Sequence, residues 1–387
     1  MVAASSSNKP IPYLWLDLIR GVAAIAVFTG HLRVLCIDDT PMGKLDILGK
    51  SVFFITGFGH IAVIIFFVLS GFLIIKSVHE SYLRGSFTFA SYSKNRISRL
   101  WTVLIPCLII GFALDKLGLQ YFSYSMVYSG ESKYFLNNGL ENNLSPNILF
   151  GNLFFLQTIL VPTFGSNGPL WSLCNEFWYY VVFPFIYLGL QRHTNTIIRL
   201  IYIFTAVVLL FFVGAKISLF FIIWLYGGLS YLISIKVNKQ VLTNSWLRIG
   251  LVVAFIVFIS LTRSKVYPQL FNNYTVGIIF ALLIPFLIQI NIKNRVAIWI
   301  STYLSNISYT LYLAHLPFIF FITSIANFQG KLWNLENCAY LIGYISATML
   351  YATLIWYLFE RNTTKIKNWV FGKSLGINLS NIHARSH

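Results

Sequence analysis

Arg20 and His31 are separated by ten residues inside an apolar stretch that runs from Leu14 to Cys36. At about 100° per residue, eleven steps bring a helix back to within about 20° of its starting direction, so the two side chains share one face, three turns apart. A guanidinium within a bilayer costs about 2.5–3.5 kcal/mol on insertion scales, which a helix that only anchors would not retain. The pair therefore points to chemistry. An imidazole titrates near neutrality and can serve as general base, and a guanidinium can stabilise developing negative charge. Plainer readings stand beside these. Asp17, one turn before Arg20, suits a local ion pair, and a lone histidine can satisfy a core hydrogen bond.

Three further patterns carry polar groups through apolar sequence. Trp171 begins a run in which Ser172, Glu176 and Tyr180 recur every four residues, giving one polar stripe after the Gly168-Pro169 breaker. A carboxylate there can orient a base, hold a cation or pair with Arg20. Asp17 and Glu176 are expected to be the acidic residues that fall inside membrane spans. A second stripe, Ser308, Tyr312 and His315, precedes Pro317. Ser70 and Gly71, within Phe66–Phe72, place small residues where a ligand or a second helix can approach, and helix packing is the commoner use of such a pair. Arg96 and Arg99, three apart, can hold phosphate in bidentate fashion or simply fix topology.

The elements that must position these groups are membrane helices. The chain of 387 residues is 57% hydrophobic and 10% charged, against about 25% charged in soluble domains. Its mean hydropathy is +0.73. Apolar runs long enough to cross about 30 Å of hydrocarbon predict an all-α polytopic bundle of ten spans. Their limits are 14–36, 51–75, 100–119, 169–190, 197–213, 217–235, 247–262, 274–290, 303–325 and 338–359. A further stretch, 148–162, reads as either a re-entrant segment or an eleventh crossing. Ten spans with both termini in the cytoplasm put 18 of the 28 Lys and Arg on the cytoplasmic side, whereas a full crossing at 148–162 reverses that bias. The net charge of +17 is thus read as topology and headgroup contact, with no nucleic acid implied. Residues 1–360 are taken as one transmembrane domain and 361–387 as a short basic cytoplasmic tail. The outer segment 120–147 reads as a solvated connector or a lid. The four cysteines are scattered without metal-ligand spacing, and no phosphate-loop or zinc motif is present, so no metal is expected.

Taken in order, Arg20-x10-His31, Phe66-Phe67-Val68-Leu69-Ser70-Gly71-Phe72, Arg96-x-x-Arg99, Pro169-Leu170-Trp171-Ser172-Leu173 with Glu176, and Ser308 to His315 resemble the acyltransferase-3 family of membrane acyltransferases. The resemblance runs from the first helix to the ninth. Two departures concern helix ends: Thr102 stands where a proline often follows the second loop arginine, and Asn362 stands where one often follows Glu360-Arg361. The resemblance implies an inner-membrane O-acyltransferase that takes an acyl group, usually acetyl, from coenzyme A on the cytoplasmic side. The acceptor would be a hydroxyl of a cell-surface polysaccharide or lipid-linked glycan. On that reading His31 is the base, Arg20 and Glu176 assist, and Arg96 and Arg99 dock the acetyl-CoA. Ser70, Trp171, Ser172, Ser308, Tyr312 and His315 line or support the pocket. The competing reading is a secondary transporter or flippase of a sugar or lipid-linked intermediate, with Arg20, His31 and Glu176 as a proton relay. No pattern encodes an oligomeric state.

Overall fold

The computed structural model describes residues 13–37, 45–131, 139–264 and 268–372, which form α-helices and connecting turns with no strand among them. In chain order the helices are α1 (Leu14–Cys36), α2 (Ile47–Ile55), α3 (Gly59–Leu83), α4 (Phe89–Tyr121), α5 (Gly139–Asn142), α6 (Pro146–Leu153) and α7 (Leu170–Gly189). They continue with α8 (Thr196–Lys236), α9 (Lys239–Leu242), α10 (Ser245–Leu261), α11 (Gln269–Leu287), α12 (Arg295–Ile325), α13 (Leu335–Leu358) and α14 (Thr363–Phe371). Residues 132–138 of the outer segment, and the tail from 373 onward, lie outside the described residues.

The ten expected spans fall on helices, the second (51–75) divided between α2 and α3 by a tight turn at 56–58. Among the described residues, seven helical stretches are long and apolar enough to cross a bilayer. The longest, α8, has 41 residues and would run about 61 Å if straight, twice the hydrocarbon thickness. Gly214 breaks it at φ 83°, in the left-handed region that costs an L side chain about 1–2 kcal/mol. The break separates 196–213 from 215–236, matching the two spans expected there. The 20 residues of α7 and the 17 of α10 account for the remaining two. Polar caps begin many of these helices where sequence turns apolar. Thr88 accepts from the Ser91 amide at α4, and Asn294 from the Val296 and Ala297 amides at α12.

The 148–162 stretch is not a crossing. Helix α6 spans eight residues, about 12 Å, after which the chain turns back through Phe155 and Thr158, both at positive φ. Irregular backbone at membrane depth is tolerated only where protein satisfies it. Asn152, fully buried, does so here: its amide group donates to the Ile148 and Pro162 carbonyls at 2.8 and 2.9 Å and accepts from the Phe164 amide at 3.0 Å. Gln157 donates to the Leu170 carbonyl at 2.9 Å, and the Phe155 carbonyl accepts from the Trp178 indole at 2.8 Å.

A correction comes from the same region. Asp115, inside α4, is a third acid within a spanning helix and, unlike the half-buried Asp17 and Glu176, is fully buried; it accepts from the Ser166 amide at 2.8 Å. The loop leading to α7 is thus tied to α4 by Asp115 and to α12 by Asn167, which donates to the Leu313 carbonyl at 2.7 Å.

At the centre, α1 packs along α12 and α3, and α8 packs on α3, α7 and α11. The approach of α3 to α8 depends on glycine. A Cβ at Gly71 would fall on the Trp224 carbonyl oxygen, and one at Gly227 on the Val68 carbonyl oxygen. Gly71 therefore serves packing, which leaves its neighbour Ser70 facing the interior. The segment expected as a tail begins with α14, which packs against α4.

Candidate active site

Polar side chains from five helices meet in a cavity of about 110 Å³. Ser70 of α3, Glu176 and Ser172 of α7, and Ser308 and Tyr312 of α12 line it, with Arg20, Arg96 and Arg99 at one end. Eight of the eleven residues singled out from sequence thus reach one space. Apolar side chains, among them Phe66, Phe67 and Leu173, complete the walls.

Glu176 does not pair with Arg20. Its Oε1 accepts from Ser70 Oγ at 2.7 Å and from the Tyr180 hydroxyl, and Ser70 Oγ also accepts from the Trp224 indole at 3.2 Å. The carboxylate is held by neutral donors, each bond to a charged group being worth about 1.5–3 kcal/mol. Tyr180, one turn beyond Glu176, was visible in the polar stripe. Trp224 was not, because an indole in a long apolar run carries no pattern of its own.

Arg20 has its own partners. It donates to Asp17 Oδ1 at 3.2 Å and to Ser305 Oγ, and Ser305 Oγ donates to the same carboxylate oxygen at 2.7 Å. The local ion pair therefore exists, and Arg20 still faces the cavity. Arg96 donates to Ser77 Oγ at 3.2 Å and lies over the Tyr92 ring. Arg99 is exposed and makes no hydrogen bond among the described residues.

His31 and Trp171 line a second cavity of about 460 Å³, which meets the first at Val63 and Tyr312. The eleven residues from Arg20 to His31 climb about 16 Å along α1. The shared face is real, but the two groups address different spaces and cannot act on one carbonyl together. His315 lines neither cavity. It lies fully buried behind His31, with ring centroids 5.4 Å apart and planes at 27°. Its Nδ1 donates to the Leu311 carbonyl at 3.0 Å, and its Nε2 has no partner among the described residues. The tautomer follows from that bond, since a carbonyl can only accept.

Between the cavities stands Tyr312. Its hydroxyl lies 2.7 Å from Ser172 Oγ and donates to the Pro169 carbonyl at 3.3 Å. Phe66 meets its ring edge-on at 5.6 Å. Ser308 Oγ turns back to the Ser305 carbonyl at 2.7 Å. On the far side of the first cavity, Arg20 and Arg99 also border an open vestibule of about 520 Å³. The open vestibule, the small and largely apolar first cavity and the second cavity adjoin in turn, at Arg20 and Arg99 and then at Val63 and Tyr312.

A family model described as an acyltransferase domain matches residues 13–357. The chain belongs to this family, acyltransferase-3. Among curated proteins it is similar to an O-acetyl transferase of Shigella phage Sf6, 29% identical over 171 residues that cover 43% of each chain. It is also similar to the acyltransferase MdmB of Streptomyces mycarofaciens, 27% identical over 170 residues, 44% of this chain and 38% of that one. The aligned part spans less than half the length of these relatives. No solved structure matches the chain at a significant level. The acyltransferase-3 match and the apolar helices together make this a multi-pass membrane protein of that family. Among the described residues no cluster of His, Cys, Asp and Glu has the makings of a metal site.

Proposed function

We propose that this acyltransferase moves an acetyl group from coenzyme A to a hydroxyl of a polysaccharide or lipid-linked glycan, in the cytoplasmic membrane with both termini in the cytoplasm. What supports the reading is the series of cavities: an arginine-bordered vestibule adjoins a small, largely apolar cavity with a polar stripe, which adjoins the cavity of His31 at Tyr312. The donor enters at the Arg96 and Arg99 end, where guanidiniums suit phosphate, and its thioester reaches the Tyr312 boundary. The acceptor enters from the His31 side.

At the boundary His31 takes the proton of the acceptor hydroxyl as its oxygen attacks the thioester carbonyl. A new C–O bond forms, the C–S bond breaks, and the imidazolium returns its proton to the leaving thiolate. Because Arg20 is about 16 Å from His31 along α1, its part is in donor binding. Ser70, Glu176 and Tyr180 form a fixed polar wall along the passage, and Ser172 holds the Tyr312 hydroxyl. His315 backs the imidazole and sets its ring orientation.

The test is release of free thiol from acetyl-CoA on adding candidate glycans, with label incorporated into the glycan. The wild-type protein should show both, and His31→Ala should lose about 10²–10⁴ in rate while remaining folded. A folded His31→Ala protein with full transfer would sink the base assignment. Glycan or lipid-linked saccharide moved across the bilayer without thioester consumption would instead identify a transporter or flippase.

A further inference from the structure

We propose that the segment following the last membrane helix, Glu360–Phe371, forms one wall of a binding site for the phosphorylated nucleotide end of the donor. The inference rests on the coenzyme A reading above and adds a site beyond residue 357, where the family match stops.

The vestibule of about 520 Å³ lies between α1, α4, α12, the end of α13 and this segment. Four cations border it: Arg20, Arg99, Arg361 and Lys367. Only one carboxylate does, Glu360, and its Oε2 already accepts from Thr310 Oγ1 at 2.5 Å. Arg20 is engaged by Asp17, but the other three cations have no carboxylate within salt-bridge distance among the described residues. Lys367 donates to a neutral oxygen, Asn95 Oδ1, at 3.1 Å. Arg361 lies over the Tyr357 ring, 5.0 Å from its centroid, and is exposed. Arg99 is exposed as well. With Glu360 the one carboxylate facing four cations, the concave space carries a surplus of positive charge that suits an anion.

The remaining lining narrows the anion. Thr363 and Thr364 add hydroxyl donors, and Trp356 adds an aromatic surface on which a purine can stack. A polyphosphate bearing a base uses all three kinds of group. A lipid headgroup uses the cations and the hydroxyls but leaves the Trp356 surface without a base to stack. The vestibule also leads, at Arg20 and Arg99, into the cavity of about 110 Å³, which admits one slender thioester arm rather than a pair of acyl chains. Coenzyme A has this form, with a 3′-phosphorylated adenosine diphosphate at one end and a thin pantetheine arm. In this arrangement Arg361 and Lys367 contact the nucleotide phosphates, Trp356 receives the adenine, and Arg99 guides the arm inward.

The experiment measures binding to the full-length protein in phosphatidylcholine nanodiscs, which present no anionic headgroup, using coenzyme A, adenosine 3′,5′-bisphosphate and S-acetylpantetheine as probes. Wild type should bind coenzyme A, and the bisphosphate should compete with it. Arg361→Ala/Lys367→Ala should weaken coenzyme A by about tenfold or more and abolish that competition, as loss of two charge-assisted contacts requires. S-acetylpantetheine binding should stay within about twofold, and Arg361→Lys/Lys367→Arg should retain most coenzyme A affinity. Unchanged coenzyme A affinity in the alanine pair would overturn the site while leaving the donor reading intact. So would a parallel loss of S-acetylpantetheine, or loss of binding only to phosphatidylglycerol vesicles. A wild-type protein that binds neither coenzyme A nor the bisphosphate would overturn both.

Discussion

Asn152 provides the sharpest test of how the interior is held. Its side chain makes three hydrogen bonds in a fully buried setting, to Ile148, Pro162 and Phe164. In Asn152→Leu the shape is nearly kept and all three bonds go. The Ile148 carbonyl retains its helical partner, so the cost comes from two orphaned groups, the Phe164 amide and the Pro162 carbonyl. At about 1–3 kcal/mol for each unsatisfied buried group, the loss is about 2–6 kcal/mol, and partial relaxation of the loop favours the lower half. Gln157 gives the contrast within the same loop. It makes one bond, to the Leu170 carbonyl, and its Oε1 is buried without a partner among the described residues. Gln157→Met therefore removes one bond and one existing penalty, for a net change of about 1 kcal/mol or less. The assay is unfolding free energy in mixed micelles for both variants, with acyl transfer measured beside it. Asn152→Leu should also lose transfer, because the loop sets the start of α7 and hence Ser172. Equal costs for the two variants, or an Asn152→Leu change under about 0.5 kcal/mol, would refute this account.

Further outcomes follow from other contacts. Glu176→Gln keeps the size of the side chain but removes the charge that Ser70 and Tyr180 donate to; acyl transfer should fall about tenfold or more, with coenzyme A affinity within about threefold. Gly71→Ala drives a methyl against the Trp224 carbonyl and should cost about 1–3 kcal/mol or more in unfolding measurements. Gly250→Ala, in a helix with nothing near the added carbon, should instead stabilise by about 0.5–1 kcal/mol. Ser172→Ala and Tyr312→Phe each break the same 2.7 Å bond, so a double-mutant cycle should show a coupling of about 0.5–3 kcal/mol.

How much of this was legible in sequence depends on the range of the interaction. Helical period alone placed Ser172, Glu176 and Tyr180 on one stripe, and length with apolarity located the ten spans, including the two that meet at Gly214. Charge distribution argued against an eleventh crossing, and the chain indeed turns back after α6. Period gives the face of a helix but not the depth at which its neighbours meet it. For that reason Arg20 and His31, correctly placed on one side of α1, open onto different cavities. Asp115 lies inside the expected span 100–119 and was legible as an acid there; its partner, a backbone amide 51 residues away, was not. Trp224 escaped notice because apolar runs hide an indole that donates. Arg361 and Lys367 were counted as topology signals, since nothing local reveals that α14 folds back on α4.

The division into two cavities constrains the chemistry more than any single residue does. On the proposed reading, a thioester arriving through the arginine end and a hydroxyl arriving past His31 meet where the spaces adjoin, at Val63 and Tyr312. Val63 offers no polar atom, so Tyr312 is the polar group at the junction. Its hydroxyl is tethered to Ser172 and Pro169 at the start of α7, and that start is in turn fixed by the loop that Asn152, Asp115 and Asn167 hold. The ring cannot move aside without breaking this tether. Opening between the two cavities is therefore coupled to the loop before α7. On the proposed reading, donor and acceptor sides are therefore divided at Tyr312, which the loop before α7 holds in place.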